Sequence, residues 1–202
     1  VIGKGQNKGT KYGVSAMSYP NVDIANLTLD GAKEIYKRDF WNKNKCDEMP
    51  AGVDYLVFDA AINHGGSRAV RFLQAAVGVS VDGSLGPKTL AAVQRANPAK
   101  VISEFCVTRG LFYTDVSTFQ TYKKGWFRRL FDTHAQALRD SAAGRVTAAT
   151  TGTTQPLGSE PAGVEPDRLC ACPDNAPDEE ELAFWIQLSK TLITAADKAA
   201  KH

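Results

Sequence analysis

The sequence lacks any feature that would place it in a membrane. Its 202 residues contain no apolar run near the roughly 20 residues that a transmembrane helix needs. No signal peptide is visible, and the first methionine is Met17. We therefore predict no membrane span, and we expect either that the chain is processed or that natural residues precede Val1.

Cysteine is also scarce. Four cysteines are too few for a disulfide framework in a chain of this length. Cys170 and Cys172 are separated by one residue and have no neighbouring histidine, which disfavours a zinc site. We predict no metal and no cofactor.

Charge is divided unevenly and is not massed anywhere in the body. Residues 1–150 carry 20 Lys and Arg against 13 Asp and Glu, whereas residues 151–202 carry 4 against 9. A basic body suits an anionic polymer such as nucleic acid or cell wall, although scattered lysines and arginines are more simply a solvated surface. The alternation of aromatic and basic residues typical of single-strand binders is absent, so we predict no nucleic-acid partner.

Helical patterns dominate the part of the chain with a regular hydrophobic period. The start signals are Thr28 before residues 29–41, Gly86-Pro87, and Asn97-Pro98, and a last body helix is predicted at about residues 124–139. Strand character is confined to a short stretch near Thr10, and 43% hydrophobic content is enough for a core. We predict a mainly α fold.

The C-terminal quarter has a different composition. Ala, Thr, Gly, Pro and Ser dominate residues 142–177, which predicts a flexible linker. Residues 178–202 begin with four acidic residues and end with lysines, as a helix dipole favours, and they carry an apolar stripe of Leu182, Trp185, Ile186, Leu192 and Ile193. This predicted amphipathic helix must be covered, either by the body, by a second copy or by a protein partner.

The stretch Val53–Ser67 contains one carboxylate in apolar surroundings. From Tyr55 to Ile62 every residue except Asp59 is apolar, which predicts a helix enclosed by protein. Asp59 must then be paired, hydrogen-bonded or open to a wet cleft, and Asn63 lies one turn later on the same face. Apolar surroundings predict a raised pKa for Asp59, as a proton donor needs. The alternative is an aspartate that caps or pins a neighbouring loop.

Four segments in this order and spacing resemble one family. They are Gly9–Ser15 (GTKYGVS), Leu27–Trp41, Phe58–Ala69 (FDAAINHGGSRA) and Val81–Leu90 (VDGSLGPKTL). Together they are similar to the N-acetylmuramidases of glycoside hydrolase family 108, from phages and bacteria, and to the predicted peptidoglycan-binding segment associated with them. The last motif alone is weak, because it occurs in many wall-binding modules.

The resemblance implies a lysozyme-like α-helical fold that hydrolyses the β-1,4 bond between N-acetylmuramic acid and N-acetylglucosamine. Such chemistry needs a protonated carboxylic acid at the glycosidic oxygen. In the family this acid is a glutamate in an E-G-G motif before the threonine that matches Thr10, but no glutamate precedes Glu34 here, and Gly5-Gln6-Asn7-Lys8 replaces an acidic stretch. Either residues upstream of Val1 bring the glutamate, or the chain is an inactive homologue that binds peptidoglycan or serves in a virion.

The resemblance also implies a sugar groove between the Thr10 loop and the helix face bearing Asp59 and Asn63. Candidate catalytic residues are Asp59 and Thr10, and the candidate substrate-binding residues are Thr10, Tyr12, Asp59, Asn63, His64 and Gly66. For Tyr12 the alternative is simple packing, and for His64 it is an exposed position at a helix end.

The predicted organisation has four parts. Residues 1–77 form the muramidase-like region, residues 78–141 form the peptidoglycan-binding-like segment of the same body, and the linker 142–177 leads to the helix 178–202. The predicted partner is peptidoglycan, with a protein partner or self-association through the last helix. The predicted location is the cell wall or periplasm for a phage or bacterial protein, or a virion.

Overall fold

The structure, a computed structural model, describes residues 9–149. A small antiparallel hairpin pairs β1 (Thr10–Lys11) with β2 (Val14–Ser15). The α-helices of this described part are α1 (Leu29–Tyr36), α2 (Val53–His64), α3 (Gly66–Ala76), α4 (Pro87–Arg95), α5 (Pro98–Thr114) and α6 (Phe119–Ala149). The mainly α class predicted from the sequence is confirmed. None of the described helices combines the length and apolar character needed to cross a membrane.

Local sequence signals explain where the helices begin. The Thr28 hydroxyl accepts a hydrogen bond from the Gly31 amide at 3.1 Å and so caps α1. Asn97 caps α5 in the same way, since its side-chain oxygen accepts from the Ala99 amide at 3.0 Å. Pro87 opens α4 at a position where a missing N–H costs nothing. The predicted starts are therefore confirmed.

The helix predicted over residues 29–41 changes character midway. Its α-helical part ends at Tyr36, and Lys37–Asn42 continues as a π-helix, in which the turn is widened by one residue. Just beyond this turn, the side-chain amide of Asn44 donates to the carbonyl of Phe40 at 2.6 Å. A short 3₁₀ turn, Cys46–Glu48, then leads towards α2.

Helix α2 is the centre of the body. Leu56, Val57, Ala60 and Ala61 are completely buried, as the continuous apolar pattern predicts. The helix contacts α3, α5, α6 and the π-helical turn, where the ring of Phe58 meets Trp41 edge to face at 5.5 Å. A side chain on almost any face of α2 therefore meets protein.

Helix α6 is longer than predicted. It begins at Phe119 and continues to Ala149, into the first residues of the predicted linker. At Gly144 the helix packs beside the residues that precede α2, because a Cβ atom on Gly144 would lie 3.1 Å from that of Ala51. The rest of the predicted linker, Cys170, Cys172 and the predicted helix 178–202 lie outside the described residues.

Gly52 is required where α2 approaches α6. Its φ is +86°, and a Cβ atom there would collide with the carbonyl group of Ala137. We expect Gly52→Ala to lower the free energy of unfolding, measured by urea denaturation, by on the order of 1–3 kcal/mol or more. The matched control is Gly125→Ala in α6, where a Cβ would meet no atom of the described residues within 4 Å. That change should raise stability by about 0.5–1 kcal/mol, and equal effects of the two changes would contradict the assignment.

Candidate functional site

The carboxylate of Asp59 lies between two arginines inside the helical body. Its Oδ2 atom accepts from Arg109 Nη1 at 2.6 Å, and its Oδ1 atom accepts from Arg129 Nη2 at 2.5 Å and Nε at 3.1 Å. Asp59 is 5% exposed and Arg109 is fully buried. The requirement that a buried carboxylate be paired is thus satisfied by a triad that joins α2, α5 and α6.

The two arginines lower the pKa of Asp59, whereas the sequence predicted a raised pKa. Burial alone would raise its pKa, but the charges of Arg129 and Arg109 and their hydrogen bonds outweigh burial and hold the pKa at about 2. The expectation of a raised pKa is wrong, because it took account of the apolar neighbours in sequence and not of cations from two distant helices. Asp59 is ionised at neutral pH and cannot serve as a proton donor.

His64 belongs to the same internal network. Its Nε2 atom accepts a hydrogen bond from Arg109 Nε at 3.2 Å, and its ring packs against those of Phe72 and Phe112, at centroid distances of 5.9 and 5.6 Å. Burial and then the charge of Arg109 lower the pKa of His64 to about 4. His64 is therefore a neutral, half-buried hydrogen-bond acceptor and not an exposed residue at a helix end.

The residues predicted to line a groove fall into two groups. Thr10 is exposed on β1, and Tyr12 occupies the hairpin turn with φ of 51°, its carbonyl accepting from Tyr36 Oη at 3.1 Å. On α2, Asn63 is exposed, and its side-chain amide donates to the backbone carbonyl of Asp59 at 2.6 Å. Asn63 and Thr10 are open to solvent, and their contact with a glycan stays a prediction, whereas the Asp59 carboxylate points towards α5 and α6.

Gly66 is held by packing at the start of α3. A Cβ atom there would lie 2.9 Å from the side-chain oxygen of Asn44, which is itself 5% exposed. The preceding Gly65 has a φ of +83°, where only glycine is relaxed, and this lets α3 begin directly after α2. The local backbone and packing therefore explain why glycine occupies both positions 65 and 66.

The segment with the VDGSLGPKTL motif, Val81–Leu90, is held against α3 by hydrogen bonds to one buried glutamine. Gln74 is 1% exposed; its Nε2 atom donates to Asp82 Oδ1 at 2.7 Å, to the Ser84 carbonyl at 3.0 Å and to Thr89 Oγ1 at 3.3 Å. Its Oε1 atom accepts from the Gly83 amide at 2.8 Å. The polar groups of the motif are thus used to hold the loop together, and this explains the burial of Thr89.

A second ionised carboxylate, Asp39, lies on the π-helical turn and was not singled out from the sequence. Its salt bridges run to Arg38 at 2.7 Å and to Lys43 at 3.5 Å. The hydrogen bond from Arg38 is the main reason why the pKa of Asp39 is lowered to about 2. Burial and the neighbouring Asp39 raise the pKa of Tyr19 to about 12. Asp39 is therefore ionised and Tyr19 is neutral at pH 7, and neither group supplies a proton easily.

Asp54 has the opposite character and was also missed. Burial, reinforced by the charge of Asp140, raises its pKa to about 7, while amide hydrogen bonds partly oppose the rise. Its Oδ1 atom accepts from the amides of Gly52 at 2.8 Å and Tyr55 at 2.6 Å. The pKa would suit a general acid, but the carboxyl group is buried and fastened to the start of α2.

Two family models match consecutive parts of the chain. Residues 4–65 match the model described as glycosyl hydrolase 108, and residues 68–131 match the model described as a predicted peptidoglycan domain. With the helical body, these matches define the class as a peptidoglycan hydrolase family with a lysozyme-like α domain.

The solved structure of SagA from Brucella abortus is similar to this chain. The two sequences are 36% identical, the TM-score is 0.60, and the alignment covers 68% of this chain and 84% of SagA. The chain belongs to the glycosyl hydrolase 108 family. A search of curated protein sequences found no match.

Removal of the Asp59 charge should strongly destabilise the body. Asp59→Asn leaves two guanidinium groups without their counter-ion, so we expect the free energy of unfolding to fall by about 3–5 kcal/mol in chemical denaturation. Asp30→Asn is the control, because Asp30 is paired with Lys33 at 3.2 Å and has a side chain that is 90% exposed. Its loss should stay below about 1 kcal/mol, and a similar loss in both variants would contradict the role of the triad.

Asp54 should make stability depend on pH in a defined window. Its pKa is 3.8 in the unfolded chain and about 7 in the folded protein, so its contribution is complete below pH 3.8 and is lost as the pH rises to 7. Asp54→Asn removes this loss and keeps the Oδ1 acceptor. The difference in unfolding free energy, variant minus wild type, should therefore increase between about pH 4 and 7 and then level off.

The contribution of His64 to the free energy of unfolding has the opposite pH dependence. It is lost as the pH falls from 6.5 to about 4. His64 is present in both proteins, so its effect cancels in the difference. A difference that stays constant from pH 4 to 7 would show that Asp54 is ionised normally.

Proposed function

We propose that this protein acts on peptidoglycan as an N-acetylmuramidase, cleaving the β-1,4 bond between N-acetylmuramic acid and N-acetylglucosamine. The observation that carries the proposal is the pair of consecutive family matches, glycosyl hydrolase 108 over residues 4–65 and a peptidoglycan domain over residues 68–131. In the described part of the chain, both matched segments contribute helices to a single core.

The ionisation of Asp59 and the burial of Asp54 support a general acid from outside the described residues. A muramidase needs a carboxylic acid that stays protonated until it reaches the glycosidic oxygen. Asp59 is ionised between two arginines, and Asp54 is enclosed at the start of α2. We propose that the acid is a glutamate in natural sequence before Val1, and that Thr10 and Asn63, both exposed, contact the glycan.

The decisive experiment compares the chain Val1–His202 with a chain extended by its natural upstream residues. Both are incubated with purified peptidoglycan, and the products are examined for new reducing ends and by mass spectrometry. The extended chain should release fragments that end in reducing N-acetylmuramic acid, and replacing the upstream glutamate with glutamine should slow release by on the order of 10²- to 10⁴-fold. Fragments without new reducing sugar ends, or no release by the extended chain, would contradict the proposal.

A second candidate function is a non-catalytic peptidoglycan binder, including a structural component of a virion. The observation that favours it is Gly5-Gln6-Asn7-Lys8, which lacks a carboxylate where the family-like pattern has one. Cosedimentation with insoluble peptidoglycan separates the two functions. A binder should sediment with the wall and release nothing even when extended upstream, whereas the muramidase should turn over the same material.

A further inference from the structure

The last turn of α2 is surrounded by guanidinium groups. Burial and the charges of three arginines lower the pKa of His64, while the charge of Asp59 opposes them, so all three guanidinium groups lie near its imidazole ring. The three residues, which we call the arginine cluster, are Arg68, Arg109 and Arg129. Asp59 pairs with two of them, and therefore the cluster keeps an excess of positive charge.

Arg68 is held in place by an aromatic ring and not by a carboxylate. It is exposed in the first turn of α3, and its guanidinium lies 4.4 Å from the centroid of the Phe112 ring. This contact fixes the position of the guanidinium without neutralising its charge. Within residues 9–149 the Arg68 side chain forms no salt bridge. Its donors are therefore available to a ligand.

Arg129 holds part of its guanidinium group at the surface. Its Nε and Nη2 atoms donate to Asp59 Oδ1, and its side chain is 21% exposed. The remaining atom, Nη1, makes no hydrogen bond within residues 9–149 and is not buried. Nη1 is therefore open to solvent, and the bonds to Asp59 fix the direction in which it points.

Arg109 shows that the cluster is short of negative charge. Its Nε atom donates to His64 and its Nη1 atom to Asp59, but its Nη2 atom is buried and has no hydrogen-bond partner within residues 9–149. Nε and Nη2 share one edge of a guanidinium group, so the unpaired atom lies on the edge that faces His64. A buried charged donor without a partner is costly, and a bound ion is one explanation for it. An anion beside the cluster would offset that cost through its charge.

The start of α3 adds to the same field. This helix has 11 residues, and Gly65 precedes it without a side chain that could cap it. The amides of a first helical turn carry partial positive charge and favour an anion. Since Arg68 lies in that first turn, its guanidinium and these amides can act on one ligand.

The charges nearest in sequence to Arg109 and Arg129 cancel one another. Three exposed carboxylates lie within six residues of either arginine, and within residues 9–149 none of them forms a salt bridge with the cluster: Glu104, Asp115 and Asp132. Three exposed cations lie within the same range: Lys123, Lys124 and Arg128. The excess positive charge of the cluster is therefore not neutralised by its neighbours.

The segment that contains the cluster indicates the ligand. All three arginines fall within residues 68–131, which match the peptidoglycan domain. The peptides of peptidoglycan carry free carboxylates, and the planar guanidinium group binds a carboxylate through two parallel hydrogen bonds. We propose that Arg68 and Arg129, with the start of α3, bind a free carboxylate of these peptides, and that Asp59 positions Arg129 for it. This inference rests on the proposed action on peptidoglycan and names the chemical group that is recognised.

Amidation of the wall tests the chemical group. Insoluble peptidoglycan is freed of phosphate-bearing polymers and divided in two, and the carboxylates of one half are converted to neutral carboxamides. In cosedimentation, the full chain should bind the untreated half about tenfold more tightly, because amidation removes a charge-assisted hydrogen bond. Equal binding to the two halves would overturn the proposal, and so would binding that requires the phosphate-bearing polymers.

Arg68→Gln tests the arginine cluster. This variant should bind untreated peptidoglycan about tenfold less tightly and should bind the amidated half as the wild type does. The matched control is Arg128→Gln, which removes the same charge from an exposed arginine on α6 and should change binding less than about twofold at 0.15 M salt. Equal losses in the two variants would indicate general attraction to a basic body and would overturn the proposal.

Arg129→Gln provides a second variant. Asp59 keeps its salt bridge to Arg109, so one anion still faces one cation, and a melting curve checks that the variant folds. Its binding should fall as that of Arg68→Gln does. Unchanged binding by folded Arg129→Gln would contradict the proposed part of Arg129.

The carboxylate site and the muramidase activity can fail separately. If amidation and Arg68→Gln have no effect while the upstream-extended chain still releases reducing ends, the site is wrong and the proposed function stands. If binding depends on the carboxylates and on Arg68 while the extended chain releases nothing, the site stands and the muramidase activity is wrong.

Discussion

Burying the Asp59 carboxylate costs free energy, and the guanidinium groups of Arg109 and Arg129 offset that cost by contributing from two other helices. The arrangement is asymmetric, because two cations face one anion and neutral His64 adds no charge. The side chain of Arg129 is 21% exposed, so water can stabilise the excess positive charge there, whereas the side chain of Arg109 is fully buried. Within residues 9–149 the Nη2 atom of Arg109 has no hydrogen-bond partner, but the Arg109 guanidinium lies 5.7 Å from the ring centroid of Tyr113, whose π face compensates in part.

Much of the fold follows from local patterns in the sequence. The enclosed character of α2, the caps at Thr28 and Asn97 and the proline start of α4 are all properties of a few neighbouring residues, and the structure confirms them. The π-helical turn and the full length of α6 were not foreseen. The π-helical turn has the same hydrophobic residues as an ordinary helix, and the end of α6 consists of small residues that a linker would also contain.

The candidate site was less accessible to sequence reasoning, because it is built from residues far apart in the chain. The need for a partner at Asp59 could be stated, but its arginines stand 50 and 70 residues later. One signal was available: Arg109 falls on the buried face of α5 with Ile102, Phe105 and Tyr113, where an isolated arginine requires an anion. Reading that signal together with Asp59 would have predicted the pair and a lowered pKa.

The joint between the two matched family segments has a consequence for how such proteins can evolve. It falls between residues 65 and 68, yet Asp59 on one side bonds to Arg109 and Arg129 on the other, and Gly52 fits against Ala137 beyond the second match. Exchange of either half for that of a relative lacking Asp59, its arginines or Gly52 would break a buried ionic contact or a backbone fit. Inheritance of the two segments should therefore be coupled, with compensating changes at Asp59 and its arginines arising together or not at all.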